Sequence, residues 1–210
     1  MKRLYFIFVG GINSSGKSTI LKRIASKKIA CISGSAYFMK WLKIKNGDYS
    51  KLQSLPDKKV LSELGKMMRY IVRQEKFGIG TEAVCIDAHY LNIRNGKAQP
   101  WVGRWLSLMD GIVFVRSSPV HILKRMKKDE KRTGRIRNVF KQGSSRREEF
   151  EQLRSFTEKN DLLFKKLLLM YNKPSAIITN NKRGVSVAAQ RLKLFINKQI
   201  VCRKKAKILK

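Results

Sequence analysis

The sequence predicts an α/β protein of three layers, with helices on both faces of a mainly parallel sheet. Three observations predict it. Short, almost wholly apolar runs recur along the 210 residues at Leu4–Val9, Ile29–Ile32, Ala83–Ile86, Ile112–Val115 and Ser175–Thr179. That is the composition of strands buried on both faces. Stretches with apolar residues at intervals of three and four separate these runs, as helices do in alternating strand–helix folds. The third observation is a glycine-rich segment lying between the first run and the first helical stretch.

Taken in order, Leu4 to Val9 (LYFIFV) forms the first strand, and Gly10-Gly11-Ile12-Asn13-Ser14-Ser15-Gly16-Lys17-Ser18-Thr19 follows it. Gly11 to Ser18 satisfy G-x-x-x-x-G-K-[ST], the phosphate-binding loop pattern. Ile20, Leu21 and Ile24 then recur at helical spacing. In a strand–loop–helix context, successive backbone N–H groups turn inward as an anion nest, and the helix N-terminus adds partial positive charge. Lys17 is placed to reach the β- and γ-phosphates, and the Ser18 hydroxyl to ligate Mg²⁺. Gly16 serves the backbone, since a side chain there would crowd the nest.

Ile29–Ile32 makes a second strand, and Phe38, Trp41 and Leu42 mark a weak helical pattern beyond Gly34-Ser35. Asn46-Gly47-Asp48 is a turn. Pro56-Asp57 starts a clear helix whose apolar face carries Val60, Leu61, Leu64, Met67, Met68, Ile71 and Val72. Gly78-Ile79-Gly80 breaks it off. Ala83–Ile86 is a third strand ending at Asp87-Ala88-His89-Tyr90, and Asn95-Gly96 opens a loop running through Pro100. Trp101, Trp105, Leu106 and Met109 suit a short helical segment before the Ile112–Val115 strand. Pro119 opens a helix with Ile122, Leu123 and Met126 on one face. Glu148 begins a longer helix with Phe150, Leu153, Phe156, Leu163, Leu167 and Met170 toward the body, ended by Pro174. Ser175–Thr179 is the last strand, Asn180-Asn181 a turn, and Val185, Ala189, Leu192, Ile196 and Ile200 the buried face of a closing helix. One domain is expected over residues 1–197, with a basic lid over about 129–147. Residues 198–210 form a tail with six Lys or Arg, read either as a helical extension or as a disordered basic arm.

Charge is lopsided: 47 Lys plus Arg face 14 Asp plus Glu, a net +33. Such a surface attracts phosphorylated ligands, RNA, DNA or an anionic membrane, and charge alone does not choose among them. Cys31, Cys85 and Cys202 lack metal-ligand spacing, and only His89 and His121 offer imidazoles, which argues against a structural zinc site. Cys31 and Cys85 sit in apolar runs and read as reduced core thiols in a reducing, cytoplasmic setting. No apolar run approaches 20 residues, so no membrane span is expected. Oligomerisation is left open.

Asp87 directly follows a strand, and ligands in open α/β sheets bind beyond the carboxyl ends of strands. Its carboxylate is a candidate to order Mg²⁺ water or to orient an acceptor oxygen; a helix cap or turn aspartate is the plainer alternative. Arg132-Thr133-Gly134-Arg135-Ile136-Arg137 offers guanidiniums to clamp developing charge, with Gly134 as a hinge. A solvated charge run accounts for the same arginines.

Together, these residues resemble the archaeal-type adenylate kinases and, more distantly, the nuclear adenylate kinase-like ATPases. The resemblance covers most of residues 3 to 197 and rests on Gly11 to Thr19, Ser54-Leu55-Pro56, Ile86-Asp87-Ala88-His89, Gly96, Trp101, and Arg135-Ile136-Arg137-Asn138. It implies a P-loop NTPase fold of nucleotide-kinase type, with five parallel strands ordered 2-3-1-4-5. It further implies Mg²⁺-dependent transfer of the ATP γ-phosphate to AMP or a related nucleoside monophosphate, with Arg135 and Arg137 around the transferred group. The chain departs from the pattern at Asn13-Ser14-Ser15, where a Pro-Gly pair is usual, and at Gln53, where the archaeal enzymes carry an arginine. Asn138 likewise replaces an acidic residue. The last two departures bear on AMP specificity more than on phosphoryl transfer. Three other readings stay open: a kinase of another small acceptor, an RNA-associated ATPase and a nucleotide-binding structural protein.

Overall fold

The computed structural model describes residues 3–45, 47–94, 96–133, 139–181 and 184–208. The chain begins with strand β1 (Tyr5–Gly10), helix α1 (Lys17–Ile24), strand β2 (Ile29–Ser33) and helix α2 (Gly34–Trp41). Helices α3 (Tyr49–Ser54) and α4 (Asp57–Arg73) lead to strand β3 (Ala83–Asp87). A hairpin of β4 (Leu91–Arg94) and β5 (Lys97–Pro100) and a 3₁₀ turn (Arg104–Leu108) precede strand β6 (Gly111–Arg116). Helices α5 (Pro119–Thr133) and α6 (Arg146–Tyr171), strand β7 (Ser175–Thr179) and helix α7 (Gly184–Ile208) complete it.

The main sheet has five strands in the order β2-β3-β1-β6-β7, all paired in parallel. Counted within that sheet, this is 2-3-1-4-5, the order the resemblance implied. β1 lies at its centre, and all six of its residues are buried. Alternate side chains leave a strand on opposite faces, and the packing shows it. Tyr5, Ile7 and Val9 meet Ile20, Leu21 and Ile24 of α1 and Ala188, Leu192 and Ile196 of α7. Phe6 and Phe8 face the other way, toward Val60, Leu64, Met67 and Met68 of α4 and Phe164 of α6. Burying each such side chain stabilises the fold by roughly 1.5–3 kcal/mol. These are the three expected layers. A smaller cluster joins Ile12 to the hairpin (Leu91, Ile93), α5 (Ile122, Met126) and α6 (Leu153, Phe156).

Several elements differ from the sequence reading. Residues 91–100 are a two-stranded antiparallel hairpin, not a loop, with Arg94 opposite Lys97. Only two residues, Asn95 and Gly96, connect the strands, and Asn-Gly is a strong two-residue hairpin signal. α3 carries too little apolar periodicity to announce itself: Leu52 is buried, and the Asp48 carboxylate caps the helix by accepting from the Lys51 N–H at 3.1 Å. α6 starts two residues before Glu148, because Ser145 and Glu148 form a reciprocal capping box. In its last turn Met170, expected toward the body, is 69% exposed, whereas Leu168 and Tyr171 pack against the core. α7 runs without a break past residue 198, with Ile200 buried and the Arg203 guanidinium donating to the Leu4 carbonyl at 3.1 Å. Cys31 and Cys85 are register partners across β2 and β3, and both are free thiols. Among the described residues no helix is long and apolar enough to cross a membrane.

Candidate active site

The loop between β1 and α1 adopts a conformation its sequence alone makes accessible. Gly16 caps α1 at φ 93°, a left-handed value that a side chain resists. A Cβ there would also lie 2.2 Å from the Asn180 amide nitrogen. Ser14 holds φ 60° without being glycine, which costs roughly 1–2 kcal/mol. Neither a capping side chain nor an acidic residue occupies the first turn of α1. The early N–H groups of a helix have no partner within it, so those of Lys17, Ser18 and Thr19 are donors presented toward the loop mouth. The buried Lys17 ammonium arches over the loop and donates to the carbonyls of Gly11 at 3.0 Å and Ile12 at 2.9 Å. Positive charge is thereby concentrated where an anion would sit.

β3 lies beside β1 in the sheet, so Asp87, 70 residues on from Lys17 in sequence, stands next to the loop. The Ser18 hydroxyl donates directly to the Asp87 carboxylate. This brings together the two residues that the sequence marked as metal ligands. One hydroxyl and one carboxylate, with the remaining positions left to phosphate oxygens and water, is a donor set that suits Mg²⁺. Among the described residues no group of three or more His, Cys, Asp or Glu gathers to hold a metal by itself. His89 adds an anchor that the sequence did not specify: its Nδ1 lies 2.9 Å from the Gly11 carbonyl oxygen. A carbonyl only accepts, so Nδ1 carries the proton in this contact. His121 is satisfied locally by the Ser118 hydroxyl at 2.6 Å.

A cleft of about 470 Å³ opens from the loop toward α2, α4 and the hairpin. Its lining is polar at Asn13, Lys17, Ser18 and Lys22, and includes Asp87 and His89. An apolar, partly aromatic wall carries Phe8, Phe38, Leu64, Met68, Trp101 and Trp105. Asp129 also borders it. One cleft therefore joins an anion-binding loop to an apolar, partly aromatic wall, with Ser18 and Asp87 among its lining residues.

Behind the loop lies a group that sequence reasoning missed. Arg125 of α5 donates through Nη1 to the Ser15 carbonyl at 3.1 Å and the Ser14 carbonyl at 3.4 Å. The same nitrogen reaches the Ser117 hydroxyl at 3.1 Å, and Nη2 reaches the Asn180 carbonyl at 2.9 Å. The Asn180 amide donates to Ser15 O at 2.8 Å. Burial pushes the Arg125 guanidinium below its ordinary pKa, without threatening a charge that arginine keeps in proteins. No motif flags this residue; only its partial burial sets it apart. The expected lid residues Arg135 and Arg137, with Gly134 and Asn138, fall outside the described residues, as does the Gln53 side chain.

A family model described as an AAA domain matches residues 10–140, a span that includes the loop, Asp87 and Arg125. The fold is also that of solved kinases. Shikimate kinase from Bacteroides thetaiotaomicron superposes with a TM-score of 0.57 at 16% identity, over 92% of this chain and 98% of that one. Shikimate kinase from Acinetobacter baumannii, in complex with shikimate, gives a TM-score of 0.54 at 13% identity, over 94% and 96% of the two chains. No curated protein sequence matches the chain.

Proposed function

Because the chain belongs to the AAA domain family, we propose that it is an ATP-dependent phosphotransferase that acts on a nucleoside monophosphate, AMP in the first instance. The observation that carries the proposal is the Ser18–Asp87 hydrogen bond in the cleft that joins the phosphate loop to the apolar wall. A γ-phosphate seated in the loop would lie at the edge of the space that holds the acceptor. Phosphoryl transfer needs little covalent chemistry from the protein; it needs positioning and charge stabilisation.

The residues divide that work. The N–H groups of the first turn of α1 and the Lys17 ammonium bind and orient the β- and γ-phosphates. Ser18 and Asp87 would hold Mg²⁺, which would supply positive charge to offset that of the phosphates. Asp87 also faces the acceptor side, where its carboxylate orients the attacking oxygen. His89, fixed by Gly11, keeps the strand end at a set distance from the loop. The partly buried Trp101 offers a flat surface to a nucleobase, and the apolar wall of the cleft, backed by the buried Phe8 and Phe38, excludes water from the reacting groups. Arg135 and Arg137 would supply the guanidinium charge that offsets the charge developing on the transferred phosphoryl group.

One observation favours a second reading. Among the described residues the apolar wall of the cleft contains no arginine, so a hydroxyl acceptor without a phosphate of its own also fits. The test is incubation with ATP and Mg²⁺ and, in turn, AMP, other nucleoside monophosphates, small hydroxylated acids, RNA, or no acceptor, with products separated by chromatography. ADP formed from both ATP and AMP supports the proposal. Phosphorylation of a hydroxyl compound selects the second reading. RNA-stimulated release of inorganic phosphate, with no phosphorylated acceptor, refutes both.

A further inference from the structure

We propose that Arg125 and Asn180 are positioning residues that hold the phosphate loop in its anion-cradling shape from behind, without themselves touching the nucleotide phosphates. In an anion nest the N–H groups turn inward, and the carbonyls must turn outward. Outward carbonyls near the protein interior need donors. Ser15 O receives two, from the Arg125 guanidinium and the Asn180 amide, and Ser14 O receives a third from Arg125. These are the carbonyls flanking the strained left-handed residues, Ser14 at φ 60° and Gly16 at φ 93°.

The brace reaches beyond the loop. Arg125 also bonds Ser117, in the turn after β6, and the backbone of Asn180, in the turn after β7. Ser117 in turn donates to the Asn180 carbonyl at 2.8 Å. One side chain thus ties together the carboxyl ends of the three strands β1, β6 and β7. Asn180 is 1% exposed and Ser117 2%, so water does not readily replace these bonds. Without the brace, the Ser14 and Ser15 carbonyls are free to rotate inward and oppose a bound phosphate.

The inference rests on the loop being a phosphate site, and its test separates the two ideas. Calorimetric titration with tripolyphosphate probes the loop with no base attached. Ligand-observed NMR with adenosine probes the base with no phosphate. The variants are Arg125→Met, Arg125→Lys, Asn180→Ser and the double variant Arg125→Met/Asn180→Ser, each with its melting temperature recorded. Tripolyphosphate affinity is expected to fall about 10- to 100-fold in Arg125→Met, as for lost charged hydrogen bonds, and less in Arg125→Lys, which keeps the charge but not the fork. Adenosine affinity should stay within about twofold, and the double variant should lose less than the product of the single losses, as residues acting as a unit do. If Arg125→Met does not fold, Arg125→Lys and Asn180→Ser decide by the same criterion. Equal loss for adenosine and tripolyphosphate, or unchanged tripolyphosphate affinity, overturns the brace. A wild-type protein that binds no tripolyphosphate overturns the loop assignment itself.

Discussion

Gly10→Ala is the substitution that most directly joins the fold to the site. Gly10 ends β1 immediately before the loop, and a Cβ there would stand 2.2 Å from Cε2 of Tyr90 and 2.5 Å from its Cδ2. Ordinary carbon contacts lie near 3.5–4.0 Å, so the ring must retreat by roughly 1.5 Å. It has little room to do so. Tyr90 is fully buried, meets Phe8 edge-on at 5.1 Å and Phe164 at 5.6 Å, and donates its hydroxyl to the Val113 carbonyl at 2.8 Å. Overpacking of this kind costs about 1–3 kcal/mol, and pulling the phenol off its acceptor adds about 1 kcal/mol. The expected loss is about 3 kcal/mol, which for a chain of this length lowers the melting temperature by roughly 6–12 °C. Urea unfolding of Gly10→Ala, Tyr90→Leu and the double variant tests the cause. The double variant should be more stable than the two single losses predict, by about 1–2 kcal/mol. Additive losses, or a neutral Gly10→Ala, would refute the contact as the reason. Because Tyr90 follows His89, retreat of the ring also moves the Asp87–His89 turn against the loop, and turnover should fall even where the protein remains folded.

Four further outcomes are expected. Lys17→Ala should abolish transfer; near-normal turnover at saturating ATP would remove Lys17 from the mechanism. Asp87→Asn keeps the shape of the side chain while removing its charge, so it should reduce turnover far more than nucleotide affinity, measured in parallel. Arg135→Ala and Arg137→Ala should each slow transfer with little change in melting temperature, and unchanged rates in both would return them to the solvated surface. The Glu63 carboxyl is held below its ordinary range by hydrogen bonds from Lys66 first and then Trp41. A depressed carboxyl stabilises the fold above its unfolded pKa, and that contribution fades as pH falls through the lower folded value. Acid titration followed by Trp fluorescence should therefore show a loosening between α2 and α4 that Glu63→Gln lacks.

What the sequence disclosed about this site follows from how local each feature is. The loop is legible because its function demands consecutive residue types, and Asp87 because it ends an apolar strand. The pairing of Ser18 with Asp87 needed only the rule that ligands collect at the carboxyl ends of strands. Arg125 was hidden because it is one basic residue among 47, and its role comes from burial against turns far away in sequence. Asn180 read simply as half of an Asn-Asn turn, and nothing in that reading showed that its side chain is buried against Gly16. The hairpin at 91–100 was hidden differently: Asn95-Gly96 announces it, but Lys97–Pro100 lacks the apolar alternation that usually marks a strand.

The bond from Arg203 to Leu4, spanning 199 residues, bears on how the protein is made. Synthesis delivers β1 first, yet its sheet neighbours β3 and β6 arrive much later. A further contact of the strand, the Arg203 guanidinium over the Tyr5 ring at 5.9 Å, becomes available later still. A central strand whose partners are all distant cannot nucleate early, because loop closure must precede any gain from pairing. The nascent chain thus carries an exposed, aromatic, uncharged segment through most of translation, the kind of segment that nascent-chain chaperones shield. The loop that follows β1 is framed only once β3 and β6, far along the chain, have paired with that strand.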